Sequence, residues 1–142
     1  MEAERDLKRD IFCREEIIGA STVAKVGAMR IVLSMDGVAE YHFLIIPIRH
    51  VDDASLLSVK ESEDFTRAVR SAAKFYASRG INGYKLVLLS GPEAGQTIPH
   101  LHWHMIPGNS EFVTDPKQRK IHYSVDELNK KAKELSQEFT AE

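Results

Sequence analysis

An α+β domain is the fold class this sequence predicts, and three observations carry it. Short runs of β-branched and aliphatic residues recur between turn signals, over residues 22–48 and again over residues 84–107. Two stretches with helical periodicity each open on a Ser-x-x-Glu capping box, Ser58 to Glu61 and Ser124 to Glu127. Four or five strands with helices inserted between and after them make a sheet-and-helix domain.

In chain order, residues 1–9 are mostly charged and are expected to form a solvated, flexible extension, with one domain spanning residues 10–142. Structure is expected to begin near Ile11. Thr22 to Val26 and Met29 to Met35 read as two strands around Gly27, ended by the Asp36-Gly37 turn signal. Tyr41 to Ile48 is apolar on both faces and is expected to be a central strand, with Pro47 marking its end or a bulge. After the first capping box, Phe65, Val69, Ala72 and Tyr76 recur at helical spacing until Gly80, the expected C′ residue. Asn82-Gly83 returns the chain to a strand over Tyr84 to Leu89, whose Leu-Val-Leu-Leu core is expected to be buried. The Gly91 to Gly95 loop follows. Beyond Pro107 the chain is polar, and the cluster Pro116 to Lys120, which can also be read as a localisation or phosphate patch, is expected to be solvated loop surface. Val125, Leu128, Ala132, Leu135 and Phe139 then give the last helix one apolar face.

At 142 residues the chain is long enough for one well-buried core. A single cysteine, Cys13, cannot make an intramolecular disulfide, and the first ten residues lack the apolar segment of a secretory signal. No apolar run reaches the ~18 residues of a membrane span. A soluble, cytoplasmic protein is therefore expected. The formal net charge of −2 argues against a generic nucleic-acid binder, although a few local donors suffice to hold a small anion.

The chemistry concentrates between Gly91 and Pro107. Three of the six histidines, His100, His102 and His104, alternate there with Leu101, Trp103 and Met105. On a strand this spacing puts three imidazoles on one face and three apolar groups on the other. An imidazole, with an ordinary pKa of about 6.5, can serve as nucleophile, base, acid or metal ligand. Satisfied structural histidines explain one such residue better than three in strict alternation. In a metal reading, two of the three would hold zinc with His42 or His50 as third ligand, but no carboxylate or cysteine cluster lies near them in sequence. In a covalent reading one imidazole attacks phosphorus, while Gly95, Gln96 and Thr97 form a phosphate cradle of close backbone N–H groups and side-chain donors.

The run GQTIPHLHWHMI resembles the signature of the histidine triad (HIT) family, in which three histidines alternate with apolar residues. Ile11-Phe12-Cys13 is similar to that family's N-terminal motif, and His42 to His50 resembles its central strand with two histidines eight residues apart. The resemblance covers about residues 10–112 and, more loosely, the last helix. It implies an antiparallel sheet of about five strands with one long central helix and a C-terminal helix, a homodimer, and a hydrolase that cleaves a purine nucleotide at its α-phosphorus without metal or cofactor.

The resemblance also implies roles. His102 would be the nucleophile, forming a nucleotidyl-histidine intermediate that water resolves, with the His100 carbonyl orienting its ring. His104 and His42 would orient groups and contact phosphate, and Thr97 would touch the phosphate or leaving group. Phe12, Ser34 and Met35 would line the nucleotide site, Ser34 standing where the family commonly has an Asp or Asn on the ribose hydroxyls. Leu89 replaces an Asn or Gln of the best-known branches. The first cysteine of the zinc-binding members is Asp10 here, which argues against a bound zinc, although Asp10, Cys13 and His50 could contribute ligands to a residual site.

Within the family, the GPEAGQT loop resembles the fragile-histidine-triad branch, which hydrolyses dinucleoside polyphosphates. The N-terminal motif, length and last helix resemble the Hint-like bacterial group, which hydrolyses phosphoramidates. The Hint-like reading covers more of the chain and is the primary expectation. A dinucleoside polyphosphate hydrolase or phosphorylase, a zinc-dependent hydrolase and a low-turnover nucleotide-binding module are the alternatives.

Overall fold

The computed structural model describes residues 15–139, so Asp10, Phe12 and Cys13 lie outside the described residues. Three α-helices, α1 (Glu15–Ser21), α2 (Val59–Ser78) and α3 (Val125–Ser136), accompany seven strands. The strands are β1 (Thr22–Val26), β2 (Met29–Leu33), β3 (Asp36–Gly37), β4 (Phe43–Pro47), β5 (Tyr84–Leu88), β6 (Trp103–Pro107) and β7 (Ile121–His122). Five of them form an antiparallel sheet in the order β1-β2-β4-β6-β5, and β3 pairs with β7 in a separate ribbon. The fold is the α+β class expected. No helix among the described residues is long and apolar enough to cross a membrane.

The side-chain period of two divides the sheet into two working faces. Ile31, Leu33, Phe43, Ile45 and Met105 point to one face and pack with Ala68, Ala72, Phe75 and Tyr76 of α2 and Leu128, Ala132 and Leu135 of α3. Val32, Leu44 and Ile46 point the other way, where Ile18 of the short α1 and the half-buried Ile98 join them. That thinner cover leaves the second face open at one end for a site.

Both capping boxes form: the hydroxyls of Ser58 and Ser124 accept from the N–H groups of Glu61 and Glu127, whose carboxylates accept in return from the serine N–H groups. The hairpin at Gly27 is tied to α2. Gly27 has φ +58°, and buried Asp64 accepts from the Ala28 N–H at 2.9 Å while Lys60 and Arg67 neutralise it. These partners, Lys60 first, hold the Asp64 carboxyl below its usual range.

Three expectations need correction. The Leu-Val-Leu-Leu strand is not buried: β5 is the outer strand next to β6, and Tyr84, Leu86 and Leu88 are exposed at that end of the sheet. Central position cannot be read from an apolar run when a second chain or solvent stands beyond the edge. The histidine strand starts only at Trp103, so His100 and His102 occupy the bend that leads into β6. Arg119, read as solvated surface, is 9% exposed. Helix α1 and the β3–β7 ribbon had no legible signal, being too short for periodicity to declare itself.

Candidate active site

Position and register bring the histidines together. Leu44 pairs with His104 and Phe43 with Met105 across β4 and β6, so His104 faces the open side while Met105 enters the core. His42 stands at the start of β4, where Tyr41 adopts φ +68° and turns the chain. That uncommon backbone is braced from outside. The buried Tyr76 hydroxyl lies 2.8 Å from the Tyr41 carbonyl and 3.1 Å from that of Met105, and the Tyr41 ring meets Phe75 edge-on.

Hydrogen-bond roles determine the tautomers. The Val38 N–H donates to His42 Nδ1 at 3.1 Å, so the neutral His42 ring carries its proton on Nε2. His42 Nε2 lies 2.9 Å from His104 Nδ1 and donates to it, which leaves the His104 proton on Nε2. Burial is the main reason both rings stay neutral: it pulls His42 down to about 3 and His104 to about 2, and the nearby Arg119 charge acts in the same direction on each. At His102 a carbonyl dictates the outcome. Its Nδ1 lies 2.7 Å from the His100 carbonyl, which only accepts, so Nδ1 carries the proton and the lone pair is on Nε2. His100 itself donates from Nε2 to the Pro47 carbonyl at 2.9 Å, locking the bend against the end of β4.

His102 and His104, with ring centroids 5.1 Å apart, line an open cleft of about 550 Å³ together with Ser34, Met35, Thr97 and Arg119. Its far wall is apolar, with Ile17, Val32, Leu44 and Ile98. The Ser34 hydroxyl donates to the Asp36 carbonyl at 2.9 Å. Gln96 turns inward: its Oε1 accepts from the Gly91 N–H at 2.7 Å, and its Nε2 donates to the Ile98 carbonyl at 2.8 Å. The amide expected to donate to phosphate therefore closes the loop in this structure. Gly95, with φ +100°, ends the turn over Pro92 to Ala94 behind Thr97.

The metal arrangement does not form here. His42 and His104 turn nitrogens toward each other and share a proton, and His102 Nδ1 is committed to a carbonyl. Among the described residues no three His, Cys, Asp or Glu side chains are grouped to hold an ion. His50 faces away, with Nε2 3.1 Å from Asp52 and its ring against His100.

Two residues of the site escaped the sequence reading, Phe112 and Arg119. The Phe112 ring lies 4.8 Å from that of His104, and the Arg119 guanidinium sits 5.4 Å over Phe112. A lone arginine in a basic, proline-containing turn looks like solvated surface in sequence; only the β3–β7 pairing folds it inward.

The five-stranded antiparallel sheet thus presents a carbonyl-oriented histidine and a hydrogen-bonded pair of histidines to one cleft. The chain belongs to the HIT domain family, whose model matches residues 16–111. Among curated relatives, a bis(5'-adenosyl)-triphosphatase of Saccharomyces cerevisiae is 39% identical over 71 residues, 46% of this chain and 33% of that protein. A bifunctional bis(5'-adenosyl)-triphosphatase/adenylylsulfatase of Arabidopsis thaliana is 33% identical over 99 residues, 69% of this chain and 52% of that protein. The chain thus spans about a third to a half of these relatives. A Hit-like protein of Bartonella henselae, described as involved in cell-cycle regulation, has the same fold, with TM-score 0.71 at 20% identity over 92% of this chain and 96% of that one.

Proposed function

We propose that this protein is a nucleotide hydrolase in which His102 attacks the α-phosphorus of a purine nucleotide. The observation that carries the reading is the 2.7 Å bond from His102 Nδ1 to the His100 carbonyl, which directs the basic lone pair of Nε2 to the cleft. In the first step Nε2 forms a bond to phosphorus as the bond to the leaving group breaks, and the leaving group departs with that electron pair. The developing imidazolium keeps its Nδ1 proton on the carbonyl. His104, whose Nε2 bears hydrogen, donates to a phosphoryl or leaving oxygen as charge builds there. In the second step water attacks phosphorus and releases a proton to solvent, the phosphorus–nitrogen bond breaks, the pair returns to Nε2, and the nucleoside monophosphate leaves. Thr97 stands on the cleft wall as a further donor to phosphate.

The leaving group we favour is a phosphate chain, as in a dinucleoside polyphosphate, because two curated relatives are named for bis(5'-adenosyl)-triphosphatase activity. The phosphoramidate reading, the primary expectation from the sequence, becomes the second. It draws on the length and last helix of the chain, which resemble the Hint-like group. We also propose a homodimer joined through β5, whose outer edge and exposed Tyr84, Leu86 and Leu88 offer pairing and apolar area to a second copy.

Side-by-side turnover of a dinucleoside triphosphate and an adenosine phosphoramidate tests the reading, with His102→Asn as control. Wild type is expected to release nucleoside monophosphate, and His102→Asn to lose at least about 10³-fold in kcat. Near wild-type rates in the variant on both substrates would overturn the mechanism.

A further inference from the structure

Arg119 is a charged side chain that is nine-tenths buried, yet it forms part of the cleft wall beside Ser34. Three backbone carbonyls hold it rigid. Nε donates to Val113 at 2.8 Å, one terminal nitrogen to Asp36 at 3.1 Å and the other to Thr114 at 3.3 Å. A guanidinium has five N–H groups, so one on each terminal nitrogen is left over after these bonds. No carboxylate among the described residues makes an ion pair with it, because the Asp36 carboxylate is turned to His122 at 2.7 Å. Asp36 and Asp115 act on it only through space, and burial lowers its pKa.

A buried guanidinium that is held by neutral carbonyls alone leaves a net positive field in the cleft. His42 and His104 register that field, since the Arg119 charge adds to the burial that keeps both rings neutral. The neighbouring position sharpens the point. Ser34 and Arg119 both donate to the Asp36 carbonyl, at 2.9 and 3.1 Å, so they lie side by side. A carboxylate at position 34 would pair with the arginine and cancel its charge, whereas the short neutral serine leaves room for a ligand anion. The planar fork fits two phosphate oxygens, and its anchoring by carbonyls means little ordering is required on binding.

We propose that Arg119, beside Ser34, forms a second phosphate subsite of this cleft, for a phosphate other than the one His102 attacks. The proposal rests on the nucleotide reading of the cleft. The second phosphate has two sources: the chain beyond the α-phosphate, or a phosphate ester on the ribose.

Calorimetric binding of AMP, α,β-methylene ADP and adenosine 3',5'-bisphosphate to the full chain separates them. One of the two doubly phosphorylated ligands is expected to bind wild type at least about 10-fold more tightly than AMP, a gain that reports its second phosphate. Arg119→Gln is expected to abolish that gain, and Arg119→Lys to keep part of it. Raising the salt concentration is expected to shrink the wild-type gain, a measurement that needs no folded variant. No gain from either second phosphate, a gain that persists in Arg119→Gln, or one insensitive to salt overturns the subsite. Absence of AMP binding by wild type overturns the nucleotide reading itself, and the subsite with it.

Discussion

His42 Nε2 and His104 Nδ1 stand 2.9 Å apart at the β4–β6 seam, and this contact determines which nitrogen of each ring carries hydrogen. The Val38 N–H starts the relay by donating to His42 Nδ1, and the last N–H in it belongs to His104 Nε2. A backbone amide on one loop thus sets the proton position on a ring of another strand.

Replacing His42 by Ala removes the donor that holds His104 in this tautomer. We expect kcat to fall by about 10²-fold, the lower range for a positioned acid, with little change in KM. Steady-state kinetics on the dinucleoside triphosphate check this. An unchanged kcat would show that the relay has no part in turnover.

The same two rings make stability depend on pH. In the unfolded chain a histidine takes up its proton near pH 6.5, whereas burial depresses His42 to about 3 and His104 to about 2 in the fold. Between those limits the unfolded state binds more protons, so stability rises with pH. It is complete above about 6.5 and declines as pH falls toward the folded values. Urea unfolding at pH 7 and pH 5 is expected to show the drop, and His42→Ala to reduce it. Equal pH dependence in the variant would refute the assignment.

At Gly27 a Cβ would lie 2.2 Å from Asp64 Oδ2, on a backbone with φ +58°. The carboxylate cannot retreat without releasing the Ala28 N–H, Lys60 and Arg67. Gly27→Ala is therefore expected to destabilise the fold by about 1–3 kcal/mol. Chemical denaturation reads this directly, and a loss below about 0.5 kcal/mol would contradict the close approach.

Leu86 stands 42% exposed in the middle of β5. If that strand joins two copies, Leu86→Glu places like charges near each other across the seam and favours the monomer. Sedimentation velocity should show a dimer for wild type and a lighter species for the variant at the same concentration. A wild-type monomer at about 100 μM would overturn the proposed assembly.

Much of this architecture was legible because its causes are local. The capping boxes at Ser58 and Ser124, the glycine turn at residue 27 and the apolar strand over 43–47 each state their structure within a few residues. The alternation from His100 to Met105 announced a chemical side and a packing side, and Met105 does enter the core while His104 faces the cleft. What the alternation concealed is that His100 and His102 precede the strand, where a bend lets one residue's carbonyl reach the next histidine's ring.

The sequence alone determined the family pattern, the order of the longer strands and helices and the identity of the candidate reactive side chains, since these follow from periodicity, capping and spacing along one chain. Tertiary structure decided the rest. The tautomers of His42 and His104 depend on a contact between residues 62 positions apart. The burial of Arg119 depends on a carbonyl 83 positions away, and the exposure of β5 on its place at the end of the five-stranded sheet. Charge, protonation and exposure are properties of surroundings, and a residue acquires its surroundings only when distant segments meet.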